Sequence, residues 1–330
     1  MVKKIRWGIL GTGTIASTFA TALKSMEDSV LTAVASRSDE KAREFAKKAG
    51  IDKAYGDYEE LARDSEIDVV YIAGPHTEHR NMAELCIRNK KAVLCEKSFT
   101  INSRDTEALI HMAKEQKVFL MEAMWSKFLP ANLKVKEWIK EGRIGSVLHI
   151  KAVFGFRMEF NPGSRLYNPS LGGGALLDVG VYPISYATFL LDRMPGRIAS
   201  SAVIGNSHVD EQNVIVLQYE DGVLADISSA ISANIGDDAL IVGEKGMIEV
   251  DRFWKASSAK LYNNKHQLIE AFEEPFKTNG YEYEAAEVNR CLREGLLESP
   301  LNPLRDTLNN MRLMDEIRSQ WGLIYPQEEE

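Results

Sequence analysis

Along the first third of the chain, short apolar runs alternate with stretches whose apolar positions recur every three or four residues. Ile5–Leu10 and residues 30–35, 69–73, 92–95 and 118–121 read as strands; residues 15–26, 40–48, 78–88 and Ser103–Gln116 read as helices. Ile15, Phe19, Ala22 and Leu23 share one face of the first helix, and Leu109, Met112 and Ala113 one face of the last. The strand runs are short and mostly apolar, and they alternate regularly with the helices. With helices between them they predict a parallel sheet covered on two faces.

After about residue 124 the pattern changes. Residues 133–139 are helical, residues 147–156 form a long strand, and residues 172–191 read as one apolar helix. A strand-rich block follows at residues 198–204, 214–219 and 223–231, with Glu220-Asp221-Gly222 as a hairpin turn between the last two. Residues 239–242 and 247–250 flank a further turn at 243–246, and residues 259–263 extend the sheet. Two helices close the chain. In the last, Asn302 is the expected cap, Pro303 the first-turn residue, and Leu308, Met311, Met314, Ile317 and Trp321 the buried stripe. The expected fold is α/β: a doubly wound parallel sheet over residues 1–123, then an α+β domain over residues 124–330 built on a large, open, mainly antiparallel sheet. One face of that sheet lacks a helical cover, which suggests pairing with further copies as a homodimer or homotetramer.

The composition, 45% hydrophobic and 27% charged, is that of a globular protein, and 330 residues suit two domains. A net charge of −8 and a pI near 5.5 argue against nucleic acid and anionic membrane as partners. No stretch approaches about 18 apolar residues, so no membrane span is expected. The basic, then apolar start over residues 1–11 has too short an apolar run for a secretion signal. Three widely spaced cysteines, Cys86, Cys95 and Cys291, point to buried thiols in a reducing compartment, with the cytoplasm the expected location. Residues 327–330 read as a solvated tail.

Four segments carry candidate chemistry. Gly11-Thr12-Gly13-Thr14-Ile15-Ala16 follows the first strand and opens the first helix, the setting in which such a glycine pattern binds a dinucleotide. Gly11 permits the tight turn, Gly13 admits a pyrophosphate to the backbone, and Ala16 lets the helix pack on the sheet. Thr12, Thr14 and Ile15 complete a cradle at a helix N-terminus, which favours negative charge. The second strand ends in Ser36-Arg37-Ser38, where an NAD site carries an Asp or Glu for the ribose 2′-hydroxyl. A guanidinium takes a 2′-phosphate bidentately and the hydroxyls add donors, so NADP(H) is expected ahead of NAD(H); Asp39 argues the other way.

Gly74-Pro75-His76-Thr77-Glu78-His79 and Cys95-Glu96-Lys97-Ser98 follow the third and fourth of these strands, at the carboxyl edge where ligands bind in such sheets. Pro75, His76, His79 and Glu96 are read as cofactor-lining, with a helix start the alternative for the two histidines. His76 and His79 have no third ligand nearby in sequence, so no metal is expected. Lys97 can reach a nicotinamide and a substrate alike. The fourth segment is Leu171-Gly172-Gly173-Gly174-Ala175-Leu176-Leu177-Asp178-Val179-Gly180-Val181-Tyr182-Pro183. If a helix begins near Gly174, Asp178 and Tyr182 lie on one face, and the glycines ahead of them let something approach the backbone closely. An acid and a phenol beside cleared space suit proton transfer on a small molecule; a helix start whose polar residues only cap and pack is the plainer alternative.

Gly11-Thr12-Gly13, Glu96-Lys97 and the 172–183 segment, in this order, resemble the glucose–fructose oxidoreductase / inositol dehydrogenase / MocA (Gfo/Idh/MocA) family over nearly the whole chain. The resemblance is closest to the branch with dimeric dihydrodiol dehydrogenase and NADP-dependent D-xylose dehydrogenase, through Ala35-Ser36-Arg37, Glu122-Ala123-Met124-Trp125, Leu166-Tyr167-Asn168-Pro169 and residues 290–295 and 319–323. It implies a Rossmann domain and an α/β domain with an open sheet through which members often oligomerise. It maps the family's lysine onto Lys97, with Ser98 in place of the proline that follows it, and the family's aspartate onto Asp178. Tyr182 stands where many members have His, and His76 replaces an asparagine. The implied reaction is reversible hydride transfer between nicotinamide C4 and a carbinol carbon of a sugar, polyol or cyclic diol. Tyr182 is the expected acid/base, Lys97 the charge that lowers its pKa, and Asp178 the group that orients the lysine or a second hydroxyl. The rival assignment makes Lys97 the proton carrier. Trp125, Phe154, Phe156, Arg157 and Arg165 are expected to line the substrate cleft, with core packing the alternative for the phenylalanines. The reading from another class is a non-catalytic NADP(H)-sensing protein on the same fold. Loss of the lysine or the acid/base would favour it, and both are present.

Overall fold

The computed structural model describes residues 3–328. The chain forms two compact units: one takes in the chain as far as Trp125 together with Phe276–Leu308, the other Ser126–Pro275 with the chain from Asn309 onward.

In the first unit, strands and helices alternate as β1 (Ile5–Leu10), α1 (Thr14–Lys24), β2 (Ser29–Ala35), α2 (Asp39–Ala49), β3 (Lys53–Tyr55), α3 (Tyr58–Arg63), β4 (Val69–Ile72), α4 (His79–Arg88), β5 (Ala92–Glu96), α5 (Ser103–Gln116) and β6 (Leu120–Ala123). The six strands are all parallel, in the order β3-β2-β1-β4-β5-β6. Their continuous apolar runs follow from this: every residue of β4, β5 and β6 is buried. The order reverses between β1 and β4, so a crevice opens beyond the carboxyl ends of these two strands. β3 and α3 are additions to the expected elements; three and six residues are too few to show a period.

The second unit contains α6 (Pro130–Lys140), β7 (Val147–Arg157), α7 (Val181–Leu191), β8 (Arg197–Ile204), β9 (Asp210–Gln218), β10 (Leu224–Ala230), β11 (Ser232–Gly236), β12 (Ala239–Gly243), β13 (Gly246–Val250), β14 (Ser258–Asn263) and β15 (Leu268–Glu273). Its nine-stranded sheet runs β15-β14-β13-β12-β7-β10-β9-β8, with β11 also paired to β7. Only β7 and β10 pair in parallel. β9 shows how the sheet is used: Ile215 and Leu217 are fully buried, while Val214 and Val216, on the opposite face, are exposed.

α8 (Tyr281–Arg293) belongs to the first unit, and α9 (Leu304–Trp321) begins in the first and continues in the second. Assigning everything after residue 123 to one domain is therefore corrected for residues 276–308. The physical reason is a buried polar knot. Asn289 of α8 accepts from Trp7 Nε1 of β1 at 3.1 Å and donates to Ser29 Oγ of β2 at 2.8 Å. Met311, Met314 and Ile317 of α9 are buried as the stripe requires, and Leu308 and Trp321 are half-buried. α9 starts one residue later than expected, and the Asn302 amide donates to the carbonyl of Glu122 at 2.9 Å.

Two expectations change. Pro169–Leu191, 23 residues, is long and apolar enough to cross a membrane, yet 94% of its most apolar window is buried inside the fold. Its apolarity is that of a core element. The tail is tied down at Gln327, whose amide donates to Ser170 O at 3.0 Å, and at Glu328, which pairs with Arg318 at 2.6 Å. Glu329 and Glu330, like Met1 and Val2, lie outside the described residues.

Candidate active site

The first unit supplies a dinucleotide cradle. Where β1 ends, Gly11 has φ +109, and a side chain there would place its first carbon 2.5 Å from the carbonyl oxygen of Ala73. Both conformation and space demand glycine. At Gly13 the same carbon would meet nothing within 4 Å. Gly13 precedes α1, no side chain caps that helix, and its first turn holds no acidic residue. The leading N–H groups of α1 are thus left to a ligand, and the helix dipole favours an anion. Thr12, Thr14 and Ile15 are exposed or half-exposed around this opening, and Ala16 is buried against the sheet. These residues fit the pyrophosphate of a nicotinamide dinucleotide.

At the end of β2, Arg37 is exposed between Ser36, which is buried, and Ser38. Both hydroxyl oxygens serve the local turn. Ser36 accepts the Ser38 N–H, and Ser38 caps α2 by accepting the Lys41 N–H. Arg37 stands beside Tyr58, whose phenol burial pushes up against the pull of that guanidinium. Asp39 turns along α2 to Arg43, 2.7 Å away.

Pro75 is half-buried and His76 is buried at the turn after β4. His79 takes the helix-start alternative rather than the cofactor-lining one, as the first residue of α4. It has no exposed surface, with Nδ1 2.9 Å from Ser98 O and Nε2 3.0 Å from Gly74 O. The ring clamps together the turns after β4 and β5, and burial lowers its pKa against the pull of those two carbonyls. Glu96 accepts the Tyr71 hydroxyl and the Lys97 N–H, so its carboxylate fixes the turn that carries Lys97. The Lys97–Ser98 bond is cis although Ser98 is not proline. Trp125 also departs from expectation: it is almost wholly buried and stacks on Tyr281 with ring centroids 4.2 Å apart, a packing role rather than a lining one.

The second unit supplies an acid, a phenol and an aromatic wall. Instead of one helix from residue 172, the chain forms a 3-10 turn at Pro169–Leu171, a π-helical turn at Leu176–Gly180, then α7. Pro183 has no N–H to give and would crowd the carbonyl four residues earlier in a regular helix. The turn ahead of it widens, and the Val181 N–H reaches back to Leu176 O. The glycines clear space, but for the protein's own groups. Gly173 is apposed to the carbonyl oxygens of Leu166, Arg165 and Asn168, and Gly174, with φ +118, to the Asp210 carboxylate.

Asp178 is buried and pairs with Arg165 Nη1 at 2.6 Å, so within this unit Arg165 neutralises the acid as well as bordering the surface. Tyr182 lies against Phe154 and Trp254, with centroids 5.6 and 6.1 Å away. Phe154 stacks on Trp254 at 4.7 Å and meets Phe156 at 6.2 Å. Phe154 is buried, as core packing would have it, while Phe156 is half-exposed and Arg157 is exposed at the end of β7.

A model of the oxidoreductase family with an NAD-binding Rossmann fold matches residues 5–124, and a model of the GFO/IDH/MocA C-terminal domain matches residues 132–249. The chain belongs to the Gfo/Idh/MocA family. It is 36% identical over 335 residues to trans-1,2-dihydrobenzene-1,2-diol dehydrogenase of Mus musculus, covering 98% of this chain and 99% of the relative. The Xenopus laevis enzyme of the same name is 37% identical over 97% of this chain and 99% of its own length. Among solved structures, aldose–aldose oxidoreductase from Caulobacter crescentus, complexed with glycerol, superposes with a TM-score of 0.89 at 24% identity over 97% of this chain and 98% of its own. KijD10, a 3-ketoreductase from Actinomadura kijaniata in complex with NADP and TDP-benzene, gives 0.84 at 26% identity over 96% and 98%.

This Gfo/Idh/MocA protein is therefore an enzyme, an oxidoreductase whose first unit carries the NAD-binding fold. Trp254 escapes sequence reasoning because it lies in a three-residue 3-10 turn, Phe253–Lys255, too short to carry a period. Glu284 of α8 escapes it too. That residue is fully buried, and neither carboxylate oxygen has a hydrogen-bond partner. Burial, and then the nearby Glu96, push its pKa well above the ordinary range. The sign of the consequence is fixed. Above the unfolded pKa of about 4.3 the unfolded chain releases a proton that the folded chain keeps, so stability is lost as pH rises toward the folded pKa. Glu284→Gln should leave the melting temperature near wild type at pH 4 and raise it progressively at pH 6 and 8, by about 2–4 °C for each kcal/mol recovered. Thermal unfolding across that pH series checks it, and an equal loss at every pH would refute it.

Proposed function

We propose that the protein is an NADP(H)-dependent dehydrogenase/reductase acting on a carbinol or carbonyl carbon of a sugar, polyol or cyclic diol, with Lys97 and Tyr182 in the acid/base chemistry. The observation that carries this reading is the setting of Tyr182: a phenol against Phe154 and Trp254, with the half-exposed Phe156 at the edge of the group. Aromatic faces suit the flat, apolar side of a ring, and the phenol is the group that can hold or release the hydroxyl proton. Asp178, already matched by Arg165, suits orientation rather than proton carriage. Lys97, held through its backbone by Glu96, supplies a cation and a donor for the substrate oxygen. NADP(H), held at the turn over residues 11–16, would supply the hydride chemistry when bound. The names of the dihydrodiol dehydrogenases and of the 3-ketoreductase support a ring alcohol or ketone as substrate. NADP rests on Arg37, exposed at the end of β2, with Asp39 turned to Arg43.

The open face of the nine-stranded sheet supports association with a second copy. Val203, Val214, Val216 and Leu224 are exposed there on three adjacent strands, with no helix of the described residues packed over them.

Three expected outcomes follow from these assignments. With trans-1,2-dihydrobenzene-1,2-diol or D-xylose and NADP, Tyr182→Phe and Lys97→Met should each lower kcat by about 10²–10⁴. Turnover of Tyr182→Phe within a few-fold of wild type would remove that residue from the chemistry, and tight NADPH binding with no turnover of sugars, polyols or cyclic diols would favour the sensing protein. Arg37→Ala should raise the KM for NADP about tenfold, the cost of one charge-assisted contact, and leave that for NAD nearly unchanged; equal effects on both would sink the cofactor assignment. Sedimentation velocity should show wild type as a dimer or larger and Val216→Glu shifted toward monomer, whereas a monomeric wild type contradicts the interface.

A further inference from the structure

We propose that Asp210 is a positioning residue for the proton-transfer segment: its buried carboxylate, set against the start of the π-helical turn, holds the run from Gly173 to Tyr182 in the geometry the reaction uses. The inference rests on the proposed roles of Tyr182 and Asp178, and it goes beyond them to a group that touches neither substrate nor cofactor.

Asp210 is the first residue of β9 and has no exposed surface. Its Oδ2 accepts the Leu176 N–H at 2.8 Å and the Asn213 side-chain N–H at 2.9 Å. Its Oδ1 has no hydrogen-bond partner and occupies the place a side chain on Gly174 would take. From the other end of the chain, the Tyr325 hydroxyl donates to Gly173 O at 2.6 Å. Asn213 passes the hold onward by accepting from Ser229 Oγ at 2.9 Å. Ser229 Oγ in turn lies 2.8 Å from where the first side-chain carbon of a residue at 180 would be. Gly180 ends the π-helical turn and is separated from Tyr182 by Val181 alone. One buried hydrogen-bonded chain therefore runs from the first N–H of the turn through Asp210 and Asn213 to Ser229, whose hydroxyl packs against the glycine that ends it.

The network also has a charge that can be switched. The titratable groups facing Asp210 are Arg318 and Tyr325, with Glu328 beyond them. Arg318 is itself matched by Asp315 at 2.8 Å and Glu328 at 2.6 Å, and its guanidinium lies 5.0 Å from the centre of the Tyr325 ring. Burial pushes the Asp210 carboxyl up to about 7, against the hydrogen bonds from Asn213 and Leu176 and the charge of Arg318. Protonation turns two charge-assisted hydrogen bonds into ordinary ones, about half as strong, and loosens the anchor. Turnover should therefore rise with pH through a limb near 7.

The test uses full-length protein with NADP and trans-1,2-dihydrobenzene-1,2-diol for kinetics, and backbone amide exchange of residues 174–182 as a readout independent of activity. Asp210→Asn should lower kcat at pH 8 by about 10- to 100-fold, the scale of a small misplacement, with the KM for NADP within about twofold. It should abolish the limb near pH 7 and speed exchange at Leu176. Tyr325→Phe should speed exchange at the glycines but keep the limb, because the carboxylate remains. Unchanged exchange in Asp210→Asn, or a limb that persists in it, overturns the proposal. Should that variant fail to fold, Asn213→Ala severs the link to Ser229 and keeps the carboxylate. It should lower kcat without moving the KM for NADP, and wild-type kcat there overturns the proposal as well. Failure of the Tyr182 assignment shows itself separately, as near-normal turnover of Tyr182→Phe beside faster Leu176 exchange in Asp210→Asn.

Discussion

A helix buried on every side must satisfy its own end inside the protein, and the second unit is arranged around that requirement. Every residue from Leu176 to Leu191 is buried. Water cannot reach the leading N–H groups, and leaving such groups unpaired costs about 1–3 kcal/mol each. The fold answers with side chains: Asp210 from β9 takes the Leu176 N–H, and from beyond α9 the Tyr325 hydroxyl holds the preceding loop by donating to Gly173 O. A carboxylate taken out of water is itself costly, and its upward displacement to about 7 records that cost. The two penalties offset each other only because donor and acceptor meet at 2.8 Å with a second donor, from Asn213, on the same oxygen.

The first unit solves the same problem the opposite way. α1 begins just after Gly13 with no side-chain cap and no acid in its first turn, and the described residues leave the space at Gly13 open. The positive end of its dipole stays unmatched by the chain, which is what a phosphate needs. The acids of this unit are placed deeper. Glu96 is bound to the Tyr71 hydroxyl and the Lys97 N–H, and Glu284, fully buried, is held toward its neutral form partly by Glu96. Two carboxyls near one another in a dry interior cannot both ionise cheaply, and here Glu284, buried without a hydrogen-bond partner, is the one pushed toward its neutral form.

Legibility in the sequence followed burial. The parallel strands could be read because both faces are covered, which leaves few polar positions to interrupt the run. The glycine loop before α1 could be read because strand, turn and helix are contiguous. What could not be read depends on partners distant in the chain. The amphipathic pattern of α8 says which side is buried, not against which sheet, and its return to the first unit is decided by Asn289 and Trp7, 282 positions apart. Asp210 meets Leu176 across 34 positions, so nothing near the glycines announces it. Pro183 was a local signal of the π-helical turn, since a proline three residues into α7 must be accommodated somewhere in the preceding turn.

The glycines of the two motifs show why composition alone stops short of function. Glycine marks a place where something comes close to the backbone, but not what comes close. At Gly11 it is the carbonyl of Ala73, at Gly173 the carbonyls of residues 165, 166 and 168, and at Gly174 the carboxylate of Asp210. At Gly13 it is nothing among the described residues. Three of these four positions are settled by the protein's own folding and would be glycine in an inert scaffold of the same shape. Gly13 alone borders space that the described residues leave open, at a helix end whose charge they leave unmatched. The physical trace of a ligand is therefore not the glycine itself but the conjunction of an open Cβ position with an uncapped helix, and in this chain that conjunction falls at the end of β1, beside the crevice where the sheet order reverses.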